Sequence, residues 1–120
     1  MRNENLLKEA KELIQYICEK EGYKSIPKVK IAYTDCSYAH FRTNSITLSL
    51  WNYERFGIEG WYAIIIHEIV HLLIWDRLHN DRFKECERKW LREFGLIPIY
   101  QRAYARKYEY LNGRTAFLIV

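Results

Sequence analysis

The stretch Trp61-Tyr62-Ala63-Ile64-Ile65-Ile66-His67-Glu68-Ile69-Val70-His71-Leu72-Leu73-Ile74-Trp75 decides how this chain folds. Only His67, Glu68 and His71 in it carry charge near neutral pH, and aliphatic residues surround them on almost every side. An apolar run of this kind predicts a buried helix. On a helix, positions four apart share one face, so the imidazoles of His67 and His71 can reach one point. Burying two imidazoles and a carboxylate is costly unless each is partnered. A zinc ion held by the two His residues removes that cost, and Glu68 between them is then placed to take a proton from water. The alternative is a hydrogen-bonded network of core polar residues with no metal.

The 120 residues suit one domain spanning 1–120. Apolar residues make up 49% and charged residues 28%, an ordinary balance for a globular chain. A net charge of +4 and a pI of about 9.0 give a mildly basic surface, which permits nucleic acid as a partner without requiring it. Cys18, Cys36 and Cys86 are far apart and odd in number, which argues against a disulfide framework and a zinc ribbon. The start, Met1 to Asn5, has no apolar leader, and the run Trp61 to Trp75 is short for a bilayer span. A cytoplasmic location with no membrane partner is expected.

Outward from the motif, Leu6, Leu7, Ala10, Leu13, Ile14 and Ile17 form the apolar stripe of a first helix, with Asn3 as its cap and Gly22 at its end. Val29 to Tyr33, Tyr38 to Arg42 and Ser45 to Leu50 read as strands, the last two joined by a turn at Thr43-Asn44. Asn52 to Gly60 reads as a loop, and the motif helix is expected to run to about Leu78. A further helix capped by Asn80 or Asp81 ends near Phe94, before Gly95 and Pro98. Tyr108 to Leu111 and Thr115 to Val120 flank Asn112-Gly113, a hairpin signal. The apolar tail Thr115 to Val120 either pairs with its hairpin partner on the core or lies in the substrate cleft.

A hydrolytic zinc site takes three protein ligands and leaves one position open. His79, at the turn after the motif helix, is the leading third ligand. Asp76, on the same helix, points away from His71. Glu87 is the competitor. It lies within the stripe of Phe83, Trp90 and Phe94, either as the ligand itself or as an acceptor holding a His ring.

His67-Glu68-x-x-His71 followed by His79-x-x-x-Phe83 resembles the SprT-like (Spartan-type) zinc metallopeptidase domains, as do Ala39-His40-Phe41 and Ser45 to Ser49 upstream. The likeness covers about 29–94. Asn80 stands where that family commonly has Gly, and its zinc ribbon is missing; the chain is also similar to the minimal archaeal zincins called minigluzincins, whose third ligand is Glu, here Glu87. The resemblance implies an α+β, minimal zincin-like fold: an N-terminal helix, a small twisted mixed sheet, the HExxH active-site helix, a backing helix and, in this chain, a C-terminal hairpin. It implies one zinc ion per chain, held by His67, His71 and His79, and peptide hydrolysis with Glu68 as general base. The edge strand Tyr38, Ala39, His40 and Phe41 would bind an extended peptide or unfolded protein by backbone pairing. Tyr100, Tyr104 and His40 are candidates for stabilising a transition-state oxyanion. A monomer or small homo-oligomer is expected. Two other readings remain at this point, a DNA-associated protease acting on DNA-bound protein and a zinc-stabilised interaction domain without turnover.

Overall fold

A computed structural model describes residues 2–96 as a small α+β unit of three helices and a three-stranded mixed sheet. The C-terminal hairpin expected at 108–120, with its tail Thr115 to Val120, and Tyr100 and Tyr104 lie outside the described residues.

Helix α1, Arg2–Glu21, buries Leu6, Ala10, Ile14, Ile17 and Cys18 on one side. It starts one residue before Asn3 rather than being capped by it. Gly22 follows its end, where the Tyr23 amide donates back to the Cys18 carbonyl at 2.8 Å. Strands β1 (Lys28–Ala32), β2 (Tyr38–His40) and β3 (Ser45–Ser49) come next. The sheet order is β1-β3-β2, with β1 parallel and β2 antiparallel to β3, so β2 is an edge strand. The β2–β3 turn closes through Asn44, whose φ of 48° is one that Asn tolerates. Its side chain bonds the Ser25 carbonyl at 2.8 Å and accepts the Tyr23 hydroxyl at 2.9 Å, fastening the hairpin to the α1–β1 connection.

Helix α2, Leu50–Ile74, follows β3 directly and packs against α1, α3, β2 and β3. The expected loop over Asn52 to Gly60 is instead helix, interrupted by a kink at Gly57 (φ 72°, ψ −170°). The reason is tertiary. Asn52 is buried and accepts the Ser37 hydroxyl at 2.8 Å, and Tyr53 meets Trp61 edge-on at 5.9 Å. Beyond the kink the turn is tight: a Cβ at Gly60 would stand 2.5 Å from Phe56 Cβ. Ile64, Ile65, Ile66, Ile69, Val70 and Leu72 are all buried, each contributing about 1.5–3 kcal/mol relative to exposure. By length and composition α2 could cross a membrane, but 67% of its apolar window is buried within the fold, as in a core helix.

The helix stops at Ile74, not near Leu78. Trp75 turns left-handed (φ 59°, ψ 45°) and the chain leaves the axis there. Helix α3, Asp81–Glu93, starts at Asn80, whose side chain accepts the Phe83 amide at 2.9 Å, and buries Phe83, Glu87, Trp90 and Leu91. Phe94, expected on that stripe, is 38% exposed, and Leu91 takes the inward place. The three cysteines are free thiols, and burial pushes Cys18 and Cys86 up to about 11, so both remain protonated near neutral pH.

Candidate metal centre

His67 and His71 stand one turn apart on α2, both buried, with ring centroids 4.9 Å apart and nearly perpendicular. The six-residue passage 75–80 brings a third imidazole to them. Trp75 supplies the reversal, and the Asp76 carboxylate then accepts the Leu78 amide at 2.9 Å and the Asn80 side-chain amide at 3.1 Å. That local turn delivers His79, whose ring lies 4.9 Å from His67 and 5.0 Å from His71. His79 Nε2 is 3.3 Å from His71 Nε2. One ligand atom from each of the three imidazoles lies within 4.8 Å of the others, the only such three-residue group among the described residues. The Phe83 ring packs on all three, at 5.0, 4.5 and 4.9 Å, and holds them from the α3 side.

Hydrogen bonds orient the rings. His67 Nδ1 is 2.6 Å from Glu87 Oε2, with both residues buried. His71 Nδ1 donates to the Asp76 carbonyl at 2.8 Å. A carbonyl only accepts, so Nδ1 of His71 carries the proton and Nε2 the lone pair. A carboxylate at Glu87 imposes the same tautomer on His67. Glu87 therefore sits behind His67, on the side of the ring away from a lone-pair nitrogen.

Glu68 is buried beside His67, and its carboxylate accepts the backbone N–H of Ala39 on β2. Burial pushes it up to about 7; His67 and the Ala39 bond pull the other way, and nearby Glu87 adds to the rise. A cavity of about 160 Å³ opens in front of it, lined by Ser37, Tyr38, Ala39, Phe41, Glu68, His71 and Arg77. Larger hollows, of about 530 Å³ on the sheet, about 620 Å³ beside α3 and about 330 Å³ between α1 and β1, contain none of the three clustered imidazoles.

Of the edge-strand residues singled out from sequence, Tyr38, Ala39 and Phe41 line this cavity. His40 does not. Its Nε2 bonds Thr47 Oγ1 at 2.9 Å, and Thr47 alternates with the core-facing Ile46 and Leu48, which puts the His40 ring on the opposite face of the sheet. It borders the larger sheet hollow and is not among the residues that line the cavity before Glu68. Asp76 has a part that sequence reasoning missed. Its carbonyl holds one His and its carboxylate shapes the turn that carries another. The signal was the Asp76–Asn80 spacing, the composition of a side-chain-closed turn. Arg77 was also overlooked, because nothing local marks it.

No family model, curated protein or solved structure matches this chain.

Proposed function

We propose that this protein is a zinc-dependent metalloendopeptidase with a minimal zincin-like fold. The observation that carries the reading is the joint placement of a three-His cluster, a buried carboxylate next to it and an open cavity in front. The donor set fits zinc. Three imidazoles are a familiar catalytic ligand set, and no thiol belongs to the cluster. Two nitrogens bound to one tetrahedral ion at the usual Zn–N length stand about 3.3 Å apart. His71 and His79 already have that separation.

His67, His71 and His79 would hold the ion, with Glu87 and the Asp76 carbonyl fixing the ring orientation and the lone-pair nitrogens. When bound, zinc supplies Lewis acidity, acidifying water and polarising a carbonyl. Glu68 is the proton carrier. Its carboxylate takes a proton from the attacking water and passes it to the departing amide nitrogen. Strand β2 is the edge on which an extended peptide would lie, its backbone pairing with the strand. The Ala39 amide that now donates to Glu68 is on that strand, so an incoming peptide competes for a bond the base is using.

Metal removal tests this reading. The purified protein should contain about one zinc per chain. Stripping it with a chelator should abolish cleavage of an unfolded protein substrate, and stoichiometric zinc should restore it. A stripped protein that cleaves as well as the loaded one contradicts the proposal.

A further inference from the structure

Besides His71, the cavity in front of Glu68 has one basic residue in its lining among the described residues, Arg77. Its setting differs from that of an ordinary surface arginine. Its guanidinium lies over the Phe41 ring, 5.0 Å from the centroid, and that ring is braced edge-on by Trp75 at 5.1 Å. These contacts join the residue after β2 to the residue after α2 and hold Arg77 in the cavity lining. The adjacent carboxylate, Asp76, is occupied by the Leu78 and Asn80 amides. Among the described residues no carboxylate forms an ion pair with Arg77. A cation held over an aromatic face keeps its guanidinium N–H groups for a planar acceptor. A carboxylate matches that fork with two parallel hydrogen bonds.

We infer that Arg77 is a specificity-determining residue, receiving a carboxylate of the substrate beside the bond on which Glu68 acts. The inference rests on the peptidase reading of the site. The carboxylate belongs either to an acidic side chain flanking the scissile bond or to the C-terminus of a short peptide. The neighbouring Glu68 makes the requirement directional: an acidic group is welcome at the Arg77 end of the cavity and repelled at the other.

The test needs binding as well as turnover. Labelled peptides of one sequence carry Glu or Gln at successive positions, each made as free acid and as C-terminal amide. Their affinity for zinc-loaded Glu68→Gln protein is read by fluorescence anisotropy, and their cleavage by zinc-loaded wild type is read separately. Carboxylate-bearing peptides should bind about tenfold or more tighter than their neutral counterparts. Arg77→Gln should erase that difference, and Arg77→Glu should turn it toward Lys-containing peptides. A preference that follows Glu whatever the terminus assigns the carboxylate to a side chain, and one that follows amidation assigns it to the C-terminus. Either result supports the inference. Equal binding of charged and neutral peptides, no binding of any, or a preference that persists in Arg77→Gln overturns it. If the preference and its loss are seen but wild type cleaves nothing, Arg77 stands as a carboxylate receptor and the hydrolase reading fails.

Discussion

His67 and His71 each donate one ring N–H to the protein, to the Glu87 carboxylate and the Asp76 carbonyl. The two acceptors differ in kind. A carboxylate behind the ring would strengthen His67 as the proposed ligand, whereas a carbonyl fixes orientation with less electrostatic effect. Glu87 and His79 therefore have separable roles. His79→Ala removes a donor from the cluster, so it should release most of the zinc. Glu87→Gln keeps an acceptor of the same shape for His67 and should weaken zinc by about 10–100-fold. Metal content after dialysis against a competing chelator distinguishes them. If Glu87→Gln empties the site while His79→Ala keeps it filled, the carboxylate is the third ligand and the three-His assignment is wrong.

At the scale of elements, the motif is easy to read because apolarity surrounds it: few positions on α2 admit an imidazole without a reason. The stripe of α1 and the existence of the β2–β3 hairpin were legible for similar reasons, since side-chain period and turn residues are local signals, although β2 ends at His40 rather than Arg42 and the turn takes up 41–44 rather than Thr43-Asn44 alone. What escaped the sequence depends on distant partners. The first turns of α2 read as loop because of Gly57 and Gly60, but Ser37 and Trp61 hold them helical. The end of α2 read about four residues too long because no Gly or Pro marks it; Trp75 adopts the left-handed turn while packing on Phe41. The Glu87 side chain was legible as a carboxylate needing a partner, but the choice between a ring nitrogen and an ion was not. Gly60 gives an element-scale test. Gly60→Ala presses a methyl against Phe56 behind the kink, far along α2 from the imidazoles. It should lower stability by about 1–3 kcal/mol in urea unfolding while the zinc content stays at one per chain. Unchanged stability would show that Phe56 moves aside and that the kink is not tightly packed.

At the scale of the molecule, α2 packs against β2 and β3 of the sheet and against both other helices, and both sides of the site depend on it. One end of the cleft is edge strand β2, and the other is the passage from α2 to α3 that carries His79. The same helix carries both the imidazole pair and the Glu68 carboxylate, so the proposed metal site and the proposed proton carrier keep a fixed relation. This division makes one comparison decisive. Glu68 is not among the clustered imidazoles, so Glu68→Gln should retain one zinc per chain and the wild-type fold. Wild type and Glu68→Gln, matched for zinc content, are incubated with an unfolded protein substrate and the appearance of new amino termini is followed. The account predicts steady cleavage by wild type and a rate lower by about 100-fold or more in Glu68→Gln. Cleavage by Glu68→Gln at the wild-type rate, or an intact substrate after incubation with zinc-loaded wild type, would contradict it.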